Sequence, residues 1–347
     1  MDKHSFITSV GIDRGPQNTV NLSVQIPITQ NALPSVIGGG NQSKKFYIVN
    51  LNAKTVHQAF GLLEARTDRS LTINQNKTII IGEEAAHQDI QPVLDYLERT
   101  TQAPIQALVF VADGTRAEEV LKLEPVQNQL PGMMFLSAGQ SISKYDRTYF
   151  IPLWQFHQKI IHGSKDTFAP LVKVDQIHRV YIISGLAVFN GNRMAGKLDW
   201  KESEVFGLLT GLEKSGLITF NLPNGQITLR NVSGKPQIKV RLQHGRPFFE
   251  VKIKVQGSTS ELTNKKTVIS HPEIIKYQRI IAREIQWRIN DLIRKLQAYN
   301  SDVINFGEEF RVQHQNVWKK TGWKKSFPTV PFRVTVKVQI VSVGRFR

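Results

Sequence analysis

Cysteine is absent from the 347 residues. Its absence excludes disulfides and thiolate metal sites, and fits either a reducing compartment or an exported protein built without cysteine. Long apolar runs are missing too: no stretch approaches the roughly eighteen consecutive apolar residues of a membrane-spanning helix. The opening "MDKHSFITSVGIDRG" has neither an apolar core segment nor a small-residue cleavage site, so it does not read as a secretory signal. Catalytic signatures are equally scarce. No HExxH, G-x-S-x-G, G-x-x-x-x-G-K-[ST], EF-hand loop or S-x-x-K occurs. His157 and His162 are five apart, which does not suit one helical face. The expectation is a protein without catalytic residues, cofactor or bound metal.

What is present is an excess of positive charge, unevenly placed. The net charge is +17, yet residues 1–177 hold 16 Lys/Arg against 16 Asp/Glu, while residues 178–347 hold 29 against 12. The second part carries the whole excess, as a surface that meets an anionic partner would. Nucleic acid, an anionic membrane surface and an acidic protein all fit, and charge alone does not choose. With 40% apolar and 21% charged residues the chain can bury proper cores, and its length suits two or three domains.

Along the chain, strands alternate with helices. "SFITSVGID" and "TVNLSVQIPI" bracket "RGPQN" as a hairpin. "AKTVHQAFGLLEAR" has helical spacing. Ile79–Ile81 read as a buried strand, turned by Gly82 into a helix whose first turn carries Glu83 and Glu84, acids that complement the helix dipole. "QALVFVADGTRAEEVLKL" repeats the strand–helix unit. Ala32–Lys45 and Val126–Ser143 lack periodicity and read as irregular segments open to proteolysis. The glycine-dense "SGLAVFNGNRMAGKLDWKESEVFGLLTG" could suggest a phosphate cradle, but Asn190–Asn192 interrupt two apolar runs, which predicts a tight hairpin, with a helix starting near Asp199–Lys201. "LITFNL", "GQITLRNV" and "PQIKVRLQ" read as three strands. The run after Arg246 alternates through Phe249, Val251, Ile253 and Val255, and a last strand through Val334, Val336, Val338 and Ile340. The clearest helix spans Pro272–Tyr299, with Pro272 at its first position and an apolar face from Ile274 to Tyr299.

Two sets of residues are candidates for partner or membrane contact. Arg279, Arg283 and Arg294 form a row on the long helix. Trp318 and Trp323 sit among Lys319, Lys320, Lys324 and Lys325, a mixture that can stack on bases or lie at a membrane interface. The plainer alternatives are a solvated helix face, and two tryptophans packed into the domain with their lysines in water.

With these residues in place, the chain resembles the Ger(x)C family, the C subunits of bacterial spore germinant receptors. The resemblance runs through "VGIDRG", "IIIGEEAA", "LDYLERT" with Arg99, "VFVADG", "GLAVFNGNRMAGKLDWKESEVFGLLTG", the long helix, "DVINFGEEFR", Trp318, Trp323 and "VTVKVQIVSVG". It covers nearly the whole chain. Family members carry a signal peptide and a lipobox cysteine bearing a diacylglyceryl anchor, so this chain resembles the mature domain. The "TTQAP" after Arg99 is less charged than the family's loop. The resemblance implies a non-enzymatic lipoprotein at the outer face of the spore inner membrane, working with multi-spanning A and B subunits in the nutrient germination response. A nucleic-acid-binding protein using the basic half is the alternative, though no RRM, HTH, KH or OB signature supports it. The expected fold is α+β, of uncommon type, with mixed domains at 1–175, 178–232 and 233–347. The last of these is a sheet backed by the long helix.

Overall fold

A computed structural model describes residues 4–28, 45–66, 70–100, 103–124, 149–162, 166–213, 216–263 and 270–342. The irregular segments expected at Ala32–Lys45 and Val126–Ser143 lie, except for Lys45, outside these residues. The expected α+β character holds. A short parallel pair, β1 (His4–Phe6) with β5 (Ser70–Thr72), accompanies two larger sheets.

The first is eight-stranded. Its members are β2 (Ser9–Arg14), β3 (Val20–Pro27), β4 (Phe46–Ala53), β6 (Thr78–Ile81), β7 (Leu108–Ala112), β8 (Phe168–Asp175), β9 (Val180–Asn190) and β10 (Arg193–Asp199), in the order β10-β9-β8-β7-β6-β2-β3-β4. β2, β6, β7 and β8 run parallel and the flanking strands antiparallel. Ile79, Ile80 and Ile81 are all buried because both faces are covered there. Ile79 and Ile81 join the core under α1 (Val56–Glu64), α3 (Gln91–Arg99) and α5 (Leu153–His162), and Ile80 packs under α4 (Ala117–Lys122). A run with no polar alternation is what burial on both faces requires. Glu83 and Glu84 begin the one-turn α2 (Glu83–Ala86), and Glu83 accepts from Gly114 N at 2.5 Å. His157 is buried between Asp95 and Glu98 of α3, so it ties α5 to α3.

The hairpin expected at Asn190–Asn192 forms, turning through Gly191 at φ 61°. It does not belong to a separate middle unit. β9 pairs with β8 and β10 with β9, so residues up to Asp199 complete the N-terminal sheet. Asp199 then caps α6 (Trp200–Thr210), its carboxylate accepting from Glu202 N at 2.8 Å while Glu202 accepts from Asp199 N at 2.7 Å.

The second sheet runs β11 (Gly216–Leu222), β12 (Gly225–Gln243), β13 (Arg246–Leu262), β14 (Phe332–Ser342). The expected strands "GQITLRNV" and "PQIKVRLQ" are one 19-residue strand, β12, which crosses the anticipated boundary at 232/233. A register shift between Arg230 and Ser233, with Asn231 at φ 51°, bends this strand without ending it. Pro236 is tolerated because β11 pairs with β12 only as far as Val232, leaving an edge beyond it. Phe249, Val251, Ile253 and Val255 are buried as the alternation required. The long helix, α7 (His271–Ala298), starts where Glu273 accepts from Ser270 N at 3.0 Å. It lays Tyr277, Ile281, Ile285, Ile289, Leu292 and Leu296 into the same core as that face of β13.

Gly185 opens the β9 motif with φ +154°, and a Cβ there would collide with the Leu198 carbonyl oxygen on β10. Replacement by valine combines strain with loss of the close strand approach. We expect Gly185→Val to lower unfolding free energy by about 2–4 kcal/mol in urea titrations. Unchanged stability would mean the hairpin is not held at this spacing.

Candidate functional site

α7 sorts its cations into two kinds. On the side facing α6, Lys295 Nζ contacts both oxygens of Glu202 at 2.7 Å, and Arg288 pairs with Glu284 and, at 3.6 Å, with Glu204. These charges hold the helix in place. Arg279, Arg283 and Arg294 are instead exposed, and no ion pair reaches them among the described residues. With them lies Trp287, whose side chain is 68% exposed. At 100° per residue, positions 279, 283, 287 and 294 fall within about a quarter of the helix circumference. They form one outward strip of three guanidinium groups and an indole. Sequence reasoning picked out the arginines and missed Trp287, although its four-residue spacing from Arg283 was the available signal.

The tryptophan–lysine segment behaves differently. It comprises α8 (Phe306–Gln313), α9 (Gln315–Trp318) and α10 (Trp323–Ser326). Trp323 is buried among Phe249, Phe310 and Phe327, with ring centroids 5.7–5.9 Å away. Trp318 is half-buried, edge-on to Phe310 at 5.7 Å. Both rings therefore pack into the domain, and Trp323 cannot be a contact residue while the fold is intact. Lys319, Lys320 and Lys325 remain exposed. Lys324 is committed inward: its Nζ lies 2.5 and 2.7 Å from the two oxygens of Asp166 and 2.8 Å from Asn190 Oδ1.

That lysine is part of a junction between the two sheets. Asp166, just before β8, accepts from Gly191 N at 2.8 Å through Oδ1 and from Asp302 N at 2.6 Å through Oδ2. Asp302 is buried in turn. Its carboxylate accepts from Phe306 N at 2.9 Å, Gly307 N at 2.6 Å and the Trp323 indole at 2.9 Å. Ser301 Oγ donates to Phe189 O at 2.6 Å. The "NGN" hairpin, "DVINFGEEFR" and the tryptophan–lysine segment thus meet at one place. Burial pushes the Asp302 pKa up to about 7, against the three donors that favour its charged form; the nearby Asp166 charge pushes it the same way. Sequence reasoning missed Asp166 because its partners Asp302 and Lys324 lie 136 and 158 residues away, and missed Asp302 although Phe306 and Gly307 follow it closely in the chain.

Chemically, the strip on α7 can attract anions and offer one aromatic ring, while the junction can only hold structure. Among the described residues, no three His, Asp or Glu side chains are grouped to hold a metal ion, and no helix is long and apolar enough to cross a membrane.

Comparison with known proteins gives a consistent picture. Residues 1–174 match the family "Spore germination protein N-terminal domain", and residues 184–344 match "Spore germination B3/ GerAC like, C-terminal". The chain is 24% identical over 321 residues to spore germination protein GerQC of Bacillus cereus, covering 90% of this chain and 86% of that one. It is 22% identical over 351 residues to spore germination protein B3 of Bacillus subtilis, covering 99% and 92%. The crystal structure of the GerBC protein superposes with a TM-score of 0.62 over 96% of both chains at 17% identity, which shows a shared fold.

The Asp302 carboxyl binds its proton more tightly in the folded protein than in the unfolded chain, where its pKa is near 4. Its contribution is therefore fully present below pH ~4 and is lost as pH rises through about 7. Measured by urea unfolding at constant ionic strength, the parent should lose roughly 1–4 kcal/mol relative to Asp302→Asn between pH 5 and 8. A difference independent of pH would refute the raised pKa.

Proposed function

The chain belongs to the spore germination GerAC family, and from that premise we propose that it acts in germination as a non-enzymatic component of a germinant-receptor complex. In this reading it lies against the outer face of the spore inner membrane beside multi-spanning A and B subunits, held by an N-terminal lipid anchor of the family type. The observation that carries the docking role is the strip of Arg279, Arg283, Trp287 and Arg294. All four side chains are exposed, and the arginines are without ion-pair partners among the described residues. Each guanidinium close to an anionic surface contributes about 1 kcal/mol, and an indole suits the headgroup level. Lys319, Lys320 and Lys325 form a second exposed set. Lys324, bound to Asp166, is excluded from it.

The test is charge reversal of the two sets. Arg279→Glu, Arg283→Glu and Arg294→Glu together should weaken binding to anionic vesicles by roughly tenfold or more, leaving neutral vesicles unaffected. Thermal melting should be little changed, since exposed charges contribute little to stability. Attraction of this range fades with added salt, the Debye length being ~8 Å at physiological ionic strength. Lys319→Glu, Lys320→Glu and Lys325→Glu are the parallel set. Spores carrying each set in the lipidated protein should germinate slowly with nutrients. If both sets bind and germinate like the parent, the basic half is a solvated surface and the docking role is wrong.

A further inference from the structure

A cavity of about 520 Å³ opens over the carboxyl ends of β2 and β6, between α1 and the α2–α3 segment. At this place β2 has antiparallel β3 on one side and parallel β6 on the other. Crevices beyond strand carboxyl ends, where connectivity changes direction, are where open α/β sheets receive ligands. The cavity is also of a size that holds small molecules.

Its lining divides in two. Ile12, Val56, Ile81, Ile90 and Val93 are buried and give an apolar floor. Arg14, Lys54 and Arg193 stand exposed at its edge, and none of the three has an ion-pair partner among the described residues. The acids that share the lining are occupied elsewhere. Asp13 accepts from Ala117 N at 2.7 Å and Glu118 N at 2.9 Å, and Asp89 Oδ1 accepts from Gln91 N at 3.0 Å and Asn192 Nδ2 at 2.7 Å. Tyr96, stacked on Phe60 at 5.3 Å and edge-on to His57 at 5.4 Å, fixes one wall.

We propose that this cavity binds a small organic carboxylate with an apolar body. The hydrocarbon lies on the Ile12–Ile81 floor, and the carboxylate is received by the Arg14, Lys54 and Arg193 cations. An inorganic anion would leave the apolar floor wet. An amine would meet three like charges against the two carboxylates of Asp13 and Asp89, which are already taken up by N–H donors, and a neutral alcohol would leave the cations unanswered. The site lies in the N-terminal sheet, and its existence does not depend on the docking surface of α7.

Hexanoate and 3-phenylpropionate are suitable probes, titrated into the whole chain by calorimetry and by amide NMR. Saturable binding is expected, with shifts centred on Ile12, Ala85 and Tyr96. Hexan-1-ol, with the same body and no charge, should bind about tenfold more weakly. Arg14→Ala with Arg193→Ala should weaken hexanoate by about tenfold while melting like the parent, since both positions are exposed. Ala85→Leu should fill the cavity and weaken both probes. If Ala85→Leu fails to fold, the arginine variant decides. The proposal fails if neither carboxylate saturates, if hexan-1-ol matches hexanoate, if inorganic phosphate binds as tightly, or if the arginine variant binds unchanged.

Discussion

The contact on which the two sheets depend is a buried ionic one. Asp166 holds the hairpin turn at Gly191, the backbone of Asp302 and the ammonium of Lys324 at once. A carboxylate at 2% exposure is unfavourable unless its oxygens are fully answered, and here both are. The geometry is therefore demanding: loss of one partner leaves the others buried and uncompensated. Around this point Phe306 stacks on Phe249, Trp323 packs tilted against the same ring, and Ser301 reaches back to β9, so that polar and apolar contacts enforce one arrangement of the sheets.

Much of the fold was legible because its signals are local. Gly191 announces its hairpin, the Asp199–Glu202 pair announces α6, and the Ser270–Pro272–Glu273 start with its isoleucine spacing announces α7. Errors arose where distant pairing decides. No local feature of residues 180–199 says that they join a sheet begun at Ser9, because that depends on the free edge of β8. "VSGK" has the composition of a turn, yet partners on β13 carry β12 through it. Of the proposed contact residues, the arginines kept their exposed positions since helix periodicity governs them. Trp323 and Lys324 turned inward because their partners are supplied by strands and by an aspartate far away in the chain.

The +17 charge is accordingly not a uniform coat. Arg288, Lys295 and Lys324 are structural cations, matched to Glu204, Glu202 and Asp166. Arg279, Arg283 and Arg294 are unmatched among the described residues and add to the outward field of the long helix. Composition reports only the sum. The distinction between cations that fasten the fold and cations that face outward exists only once the partners are in place.

The parallel pairing of β13 with β14 also orders the events of synthesis. Phe249 must wait for Phe332, and Asp166 must wait for Asp302 and Lys324, before either contact exists. Strands β2 to β10 complete their sheet from residues up to Asp199, so that sheet can form while the rest of the chain is still on the ribosome. The second sheet cannot close until its last eleven-residue strand has emerged, and non-local pairing of this kind is slow. During that interval the edge of β13 from Phe249 to Ser258 is without its β14 partner. Premature termination before Phe332 would leave that edge unpaired permanently, a template for wrong strand addition and a substrate for chaperones and proteases.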